Sequence, residues 1–317
     1  MRGPRGIPHK LLNALLRLSA HRAKTTYWLQ MAINRVSQEL INPTEVLDFV
    51  NHSRLTNDPL IYVDLGARGG VSDQLKALRS LIKVVLFEPD PEEFQILESH
   101  NASDPGTLVL PYAIGGTNEP KALFLTRKRA CSSLLEPHGF MSELMAASVN
   151  GANEEYGSAK RFDVERVETV ECRTLSAALQ GKVKGLDILK IDTQGLEFEI
   201  LKNLGDFRPF AINVECSTTD LYKNQGTVFE VGGLLRSLGY FPVSLMDNHF
   251  VPKTLAAFRR PIPLHGDCLF VPDLSSLGRE IILRDPLKWM IALGVYGHFD
   301  LALWQSSSLS INLPEVA

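Results

Sequence analysis

The sequence predicts an α/β fold, with a doubly wound sheet of seven strands, a helical N-terminal arm and C-terminal helices. Two observations support this fold class. Short apolar runs alternate with segments of helical periodicity, as in a parallel sheet covered by helices on both faces. The apolar run at 60–65 also leads into a glycine-rich turn, and the next apolar run ends in an acid, Glu88, about twenty residues later.

Strands and helices are predicted to alternate in the first half. They are a strand at 60–65, a helix at 72–81, a strand at 83–88, a helix at 91–100 and a strand at 107–112. Residues 121–126 and 166–173 are β-branched enough for two more extended segments. The glycine-punctuated stretch between those two predicts a short helix and a flap over the site.

The alternation resumes in the second half. It gives a strand at 186–191, a helix at 194–204, a strand at 209–215, a helix at 228–238 and strands at 240–245 and 267–272. The last two strands are close in sequence, which predicts an antiparallel pair at the end of the sheet. Residues 246–266 contain three prolines and predict a long loop that shapes a substrate pocket.

We expect three regions along the 317 residues: a helical arm at 1–56, the α/β domain at 57–275 and a helical extension at 276–317. Within the extension, Ile281 to Trp304 predicts an apolar helix pair. Such a pair either closes the core or forms a homo-oligomer interface.

The arm is locally basic. Its first 24 residues hold six lysines and arginines and no acid, with leucines among them at helical spacing. We expect this helix to pack on its own domain or on a second subunit. The alternative is peripheral contact with an anionic membrane surface.

Composition limits the partners and the compartment. A net charge of −3 gives no general attraction to nucleic acid, so no nucleic-acid partner is expected. The four cysteines form no Cys-x-x-Cys pair, and free thiols favour a cytoplasmic location. No apolar run reaches about 18 residues, and no cleavage site follows the N-terminal leucines, so neither a membrane span nor a secretory signal is predicted.

The turn after the first strand predicts a nucleoside site. Glycines at 66, 69 and 70 allow backbone N–H groups to approach a ligand, and Glu88 can accept both ribose hydroxyls. The glycine spacing does not fit Gly-x-Gly-x-x-Gly, and Asp64 would repel a pyrophosphate. S-adenosylmethionine (AdoMet) has no phosphate and carries an ammonium and a sulfonium, so it is favoured over a nicotinamide or flavin dinucleotide. A purely structural alternative has Asp64 capping a helix and Glu88 ending a strand.

A second motif lies at 186–201. Its apolar strand ends at Asp192, Gly195 permits a tight turn, and apolar residues then repeat at helical spacing. Since the carboxyl ends of parallel strands share one edge, Asp192 is expected beside Asp64 and Glu88.

With both motifs in view, residues 58–272 resemble the FkbM family of AdoMet-dependent methyltransferases. The matching pieces are Val63-Asp64-Leu-Gly66-Ala, Phe87-Glu88-Pro89, Ala113-Ile114-Gly115, Ser132-Ser133-Leu134, Lys190-Ile-Asp192-x-x-Gly195-x-Glu197, Asn213-Val-Glu215 and Asp267-x-Leu-Phe270-Val. Two positions depart from the family pattern: Arg68 replaces a common Asn, and Gln194 replaces a common acid.

The resemblance implies a class I methyltransferase (Rossmann-like) fold, AdoMet as cofactor, and transfer of a methyl group to a hydroxyl of a sugar, glycan or polyketide-like acceptor. The implied cofactor-binding residues are Asp64, Gly66, Ala67, Arg68, Gly69, Glu88, Pro89, Ala113, Ile114 and Asp192. Asp64 and Gly66 would hold the methionine end, Glu88 the ribose, and Ala113 with Ile114 would border adenine. Arg68 either reaches the methionine carboxylate or points outward.

Transfer to a hydroxyl requires an aligned acceptor oxygen and a base. Asp192, Glu215 and His249 are predicted as catalytic residues, with His138 as a further candidate base. No metal is predicted; the alternative is a magnesium site formed by Asp192, Glu215 and Asp267. Two rival functions stay open, a dinucleotide-dependent oxidoreductase and a non-catalytic AdoMet-binding scaffold.

Overall fold

The structure is a computed structural model that describes residues 55, 57–71, 75, 78–140, 159–245, 248–250 and 262–311. Its strands are β1 (Leu60–Leu65), β2 (Ile82–Phe87), β3 (Thr107–Leu110), β4 (Ala113–Ile114), β5 (Lys121–Thr126), β6 (Val164–Val170), β7 (Cys172–Arg173), β8 (Ile188–Ile191), β9 (Ala211–Ser217), β10 (Tyr240–Ser244), β11 (Asn248–Phe250) and β12 (Ile262–Pro272). Its helices are α1 (Pro91–Asn101), α2 (Leu175–Leu179), α3 (Glu197–Lys202), α4 (Val228–Ser237), α5 (Ser276–Arg284), α6 (Pro286–Val295) and α7 (Phe299–Leu309).

The main sheet places seven strands on one path, in the order β10-β12-β9-β8-β1-β2-β3, and β11 pairs with β12 beside that path. Strand β1 lies between β2 and β8 and is parallel to both. The chain therefore leaves β1 in one direction along the sheet and later returns to its other side. Ligands of doubly wound folds bind in the crevice that such a reversal opens at the carboxyl ends of the strands.

Two smaller sheets lie outside the main one: β4 pairs with β7 in parallel, and β5 pairs with β6 as an antiparallel hairpin. At the end of the main sheet, β12 runs antiparallel to both β9 and β10. This confirms the doubly wound α/β fold class.

The central strands are apolar because both faces of the sheet are covered. Val63, Val85 and Leu189 are completely buried in one continuous core. The side chains of Trp289 and Leu293 in α6 belong to the same core. The C-terminal helices thus close the core of the α/β domain. Within the described residues, no helix has the length and apolar composition needed to cross a bilayer.

Strand 60–65 and the helix beginning at 91 lie where the sequence predicts them, and three other predictions are wrong in detail. Residues 246–266 are not one long loop, since they contain β11 and the first part of β12. The predicted helix at 194–204 begins only at Glu197, because Gln194 and Gly195 have φ of 58° and 119° and form a turn. The predicted C-terminal pair is three helices, because Pro286 starts a new helix directly after α5.

Several predictions fall outside the described residues. They concern the N-terminal arm, most of the predicted helix at 72–81, and the flap between 141 and 158. One short helix was not predicted at all: α2 begins at Leu175, where the Thr174 hydroxyl accepts a hydrogen bond from the N–H of Ala177.

Gly66, directly after β1, is a position where a side chain would not fit. Its φ is +84°, and a Cβ there would overlap the main-chain oxygen of Asp192 on the neighbouring strand end. Gly69 has a similar φ of +80°, but a Cβ there would meet no atom within 4 Å. Alanine substitutions at these two glycines therefore distinguish the cost of a left-handed backbone from the cost of steric overlap.

We expect Gly66→Ala to destabilise the fold by more than about 2 kcal/mol, and Gly69→Ala by about 1 kcal/mol, since only the first adds overlap to the left-handed backbone. Urea unfolding of both variants and the wild type measures this. Equal losses of unfolding free energy in the two variants would show that a Cβ at position 66 does not collide with the main chain of Asp192.

Candidate functional site

Asp64 and Lys190 form a charge pair at the carboxyl ends of β1 and β8. These residues are direct neighbours in the parallel register. The Lys190 Nζ lies 3.3 Å from Asp64 Oδ1 and 3.4 Å from Asp192 Oδ2. The Tyr62 hydroxyl donates to Asp64 Oδ2 at 3.0 Å. Both oxygens of this buried carboxylate are therefore occupied by groups of the protein itself.

Burial raises the pKa of Asp64, while the charge of Lys190 and the Tyr62 hydroxyl act in the opposite direction. Burial alone would lower the pKa of Lys190, but the carboxylates of Asp64, Asp192 and Asp267 raise it above its usual value. The lysine is thus a fixed positive charge among three acids.

Asp192 and Glu215 are brought together through Gln194. The Gln194 amide Nε2 donates to Asp192 Oδ1 at 2.8 Å and also to Glu215 Oε2. Tyr222 Oη lies 2.9 Å from both Gln194 Oε1 and the main-chain oxygen of Cys131. Burial, and then the charge of Asp192, raise the pKa of Glu215 well above its usual value. An amide at position 194 holds two carboxylates together where an acid would add a third negative charge.

Glu197 shapes the turn after β8. Its carboxylate accepts hydrogen bonds from the N–H groups of Thr193 at 3.0 Å and Gly195 at 2.9 Å. The side chain is 2% exposed, and burial raises its pKa to about 7. Because its oxygens are used by the turn, Glu197 supports the position of Asp192 and Gln194.

Glu88 follows β2 and is 4% exposed. Its Oε1 accepts the N–H of Asp90 at 2.9 Å, and its backbone N–H donates to the main-chain oxygen of Leu110 at 3.1 Å. Burial raises the pKa of Glu88 to about 7, against the opposing effect of the Asp90 N–H and the charge of Arg68. Its ionisation state therefore changes near neutral pH.

Arg68 is partly exposed and is paired with two acids at the start of α1, and its contact with the methionine carboxylate stays a prediction. Its guanidinium bonds Asp90 at 2.6 Å and Glu93 at 2.8 Å. Glu93 also accepts the N–H of Gly69 at 3.1 Å. These contacts fasten the glycine turn to the first turn of α1, next to Pro89. Ala67 is buried, and its N–H donates to the main-chain oxygen of Phe87 at 3.0 Å.

Ala113 and Ile114 form β4 and are both buried. The N–H of Ala113 donates to the main-chain oxygen of Glu171 at 2.9 Å. Ala113 packs with the β5–β6 hairpin, and Ile114 packs into the main core. Their proximity to adenine stays a prediction.

His265 is a functional candidate that the sequence reasoning missed. It lies on β12 opposite Ser217 of β9, and its Nδ1 is 3.2 Å from Glu215 Oε1. The residue was assigned to the predicted loop 246–266. In the structure, Leu264, Gly266 and Cys268 are buried and alternate with the more exposed His265 and Asp267. The corresponding alternation of non-polar and polar residues in the sequence is the signal that could have predicted the longer strand.

A small cleft opens beside this pair. Its walls are formed by Gln194, Glu197, Glu215, Cys216, Ser217, Leu221, Tyr222, Gln225 and His265. The Ser217 hydroxyl is fully buried and has no hydrogen-bond partner among the residues that the structure describes. Since a buried polar group without a partner is costly, this hydroxyl marks a place where a ligand atom would be stabilised.

The other predicted bases are His249 and His138. The backbone of His249 lies in β11, and its side chain is outside the described residues. The His138 ring contacts Phe140, with centroids 4.7 Å apart. Among the described residues, no group of three His, Cys, Asp or Glu side chains is arranged to hold a metal ion.

Residues 64–242, more than half of the chain, match the family model of the methyltransferase FkbM domain. Comparison with curated proteins gives no match. The matched range includes Asp64, Glu88, Asp192 and Glu215, whereas His265 lies beyond it.

Three solved structures are similar to this chain. A candidate RNA methyltransferase from Pyrococcus horikoshii has 11% identity and a TM-score of 0.32, covering 70% of this chain and 83% of its own. A precorrin-6y C5,15-methyltransferase from Geobacter metallireducens has 9% identity and a TM-score of 0.33, covering 70% and 91%. A Burkholderia thailandensis 1,6-didemethyltoxoflavin-N1-methyltransferase with bound S-adenosylhomocysteine has 14% identity and a TM-score of 0.31, covering 87% and 94%.

Lys190→Met should destabilise the protein by about 3 kcal/mol at pH 8, because it leaves the buried Asp64 carboxylate without its counter-charge. The loss should shrink as the pH falls, since protonation of Asp64 removes the unpaired charge. Urea unfolding at pH 5 and pH 8 measures both effects.

The matched control is the double variant Asp64→Asn with Lys190→Met, which should lose less than the single Lys190→Met variant at pH 8. A pH-independent loss in the single variant would contradict the pairing.

Proposed function

Because the chain belongs to the FkbM methyltransferase family, we propose that it transfers the methyl group of AdoMet to a hydroxyl of a sugar, glycan or polyketide-like small acceptor. One observation carries the proposal of O-methylation: the His265–Glu215 pair lines a cleft at the same sheet edge as Asp64, Glu88 and Asp192. A hydroxyl must lose a proton when it is methylated, and this pair can accept one.

The residues at the ends of β1 and β2 support the binding of AdoMet. Left-handed glycines at 66, 69 and 70 let a ligand approach the backbone, and Glu88 carries further acceptor sites for ribose hydroxyls. Since the Asp64 carboxylate is buried, we infer that the more exposed carboxylate of Asp192 binds the ammonium of the methionine end. Its side chain is 34% exposed, against 2% for Asp64.

AdoMet, when bound, supplies an electrophilic methyl group on a positively charged sulfur. The protein then has to hold the acceptor oxygen in line and take its proton. Ionised Glu215 would accept the Nδ1–H of His265, which favours the tautomer in which Nε2 carries no proton and is the basic nitrogen of the ring. Because the pKa of Glu215 is raised, this form of the pair increases as the pH rises.

The Ser217 hydroxyl supports an acceptor with more than one polar group. It is two residues beyond Glu215 on β9 and faces the same cleft. A second hydroxyl of the acceptor would give it the hydrogen bond that the described residues do not provide. A carbohydrate-like acceptor meets this requirement.

One observation favours a second candidate, a non-catalytic AdoMet-binding scaffold. Gln194 replaces the acid that the family commonly has, and its amide occupies both Asp192 and Glu215. Binding of S-adenosylhomocysteine without methyl transfer to any hydroxyl acceptor would support this candidate.

His265→Asn should lower kcat at least about 100-fold and leave the Kd for S-adenosylhomocysteine unchanged. The assay is release of S-adenosylhomocysteine from AdoMet with a panel of sugars, uronic acids and sugar phosphates. The control is His100→Asn, an exposed histidine in the last turn of α1, which should be fully active. Undiminished turnover in the His265 variant would exclude it as the base.

The affinity for S-adenosylhomocysteine should fall roughly tenfold between pH 8 and pH 6, because the ionised Glu88 accepts the ribose hydroxyls and the pKa of this group is raised to about 7. Calorimetric titration across this range measures the change. Glu88→Gln should bind weakly at both pH values, without the pH dependence. An equal affinity of the wild type at pH 6 and pH 8 would contradict a ribose contact through Glu88.

A further inference from the structure

One wall of the cleft is the turn that follows β9, to which Leu221, Tyr222 and Gln225 contribute. The Oε1 of Gln225 accepts the N–H of Leu221 at 2.9 Å and the N–H of Tyr222 at 3.2 Å. The backbone N–H of Gln225 donates to the main-chain oxygen of Tyr222 at 3.2 Å. The Gln225 side chain is 9% exposed. The turn and this side chain therefore hold each other in place.

These two N–H groups decide the orientation of the Gln225 amide. Only the oxygen of an amide can accept a hydrogen bond from a backbone N–H, so Oε1 faces the turn and Nε2 is directed away from both N–H groups. Both hydrogen bonds that this side chain makes with the described residues use Oε1. Since Gln225 lines the cleft, its Nε2 is the atom that can donate to a molecule bound there.

Ser217 is a second polar group of the cleft that can bind a ligand atom. Its hydroxyl is fully buried, without a hydrogen-bond partner among the residues that the structure describes. Ser217 lies directly opposite His265 in the antiparallel register of β9 and β12. Side chains of directly opposite residues share one face of the sheet, with Cβ atoms about 5 Å apart. The unpartnered hydroxyl is therefore a neighbour of the imidazole to which we assign the reacting hydroxyl of the acceptor.

The charge of the cleft favours a neutral ligand. Within the described part of the chain, the cleft is lined by the acids Glu197 and Glu215 and by no lysine or arginine. An anionic group in the cleft would lie near these acids without a counter-charge. A hydroxyl, in contrast, can accept a hydrogen bond from one neighbour and donate one to another. The lining therefore suits a group with several neutral hydroxyls.

We propose that Ser217 and Gln225 bind a second, neutral hydroxyl of the acceptor, on the carbon next to the one that carries the reacting hydroxyl. Gln225 Nε2 donates to the oxygen of this second hydroxyl, which donates in turn to Ser217 Oγ. This inference rests on the proposed function, since it names the substrate class of the same site: a carbohydrate with two free neighbouring hydroxyls. The two residues select and orient the acceptor and take no part in the proton transfer.

The test compares cis- and trans-1,2-cyclohexanediol, cyclohexanol, glucose and glucuronate as probes, by ligand-observed NMR titration at pH 8 with saturating S-adenosylhomocysteine. At least one diol should bind about tenfold more tightly than cyclohexanol, because its second hydroxyl gains a donor and an acceptor in a buried site. Glucuronate should bind no more tightly than glucose, because the lining offers its carboxylate no cation.

Ser217→Ala and Gln225→Glu should each lower the affinity for that diol to the affinity for cyclohexanol. The Kd values for cyclohexanol and for S-adenosylhomocysteine should not change. Gln225→Glu keeps an oxygen for the N–H groups of Leu221 and Tyr222 and removes the donor. Ser217→Ala should keep or raise the Tm, since the hydroxyl that it removes has no partner among the described residues. A lower Tm with an undiminished preference for the diol would make either residue structural and overturn the proposal.

Two control variants carry the same chemical changes outside the lining of the cleft. Gln95→Glu changes an exposed position of α1. Ser308→Ala changes an exposed position of α7, where the hydroxyl donates to the main-chain oxygen of Trp304 at 3.2 Å. Both variants should keep the wild-type preference for the diol.

The outcomes separate the two proposals. If S-adenosylhomocysteine binds and no diol binds more tightly than cyclohexanol, or none of the probes binds, this inference alone is overturned. Tighter binding of glucuronate than of glucose would overturn the neutral acceptor. Lack of binding of S-adenosylhomocysteine would overturn the proposed function itself.

Discussion

The parallel pairing of β1 with β8 is the constraint on which the rest of the site depends. Its register sets Asp64 beside Lys190 at the point in the sheet where the strand order reverses. A buried carboxylate is tolerated there because the lysine compensates its charge and Tyr62 donates a hydrogen bond. The close approach of the two strand ends also requires glycine at position 66.

From that point the edge of the sheet divides into two halves. On the β2 side, Glu88 and the glycine turn are fastened to α1 through Arg68, Asp90 and Glu93. On the β9 side, Glu215 and His265 line a cleft together with Ser217 and Tyr222. In the function proposed above, the methyl donor would bind at the β2 side and the acceptor at the β9 side.

Gln194 connects the carboxyl ends of β8 and β9. It has a left-handed backbone, with φ of 58°, and its amide donates to the carboxylates of Asp192 and Glu215. Two carboxylates this close repel each other and raise the pKa of the more buried one. The amide reduces that repulsion without adding charge, while Tyr222 fixes its orientation from the other side. Gln in place of an acid at this turn therefore makes the site less negative.

The sequence by itself determined the α/β fold class, the positions of most strands along the chain, the family, and the placement of Asp64, Glu88 and Asp192 on one sheet edge. Apolar periodicity and the glycine turns are local signals, and strand ends in a parallel sheet converge for topological reasons. Only the tertiary structure decided which side chains meet. His265 reaches Glu215 across β12 and β9, and Arg68 turns to α1, because contacts between residues far apart in sequence depend on register and packing that no local pattern encodes.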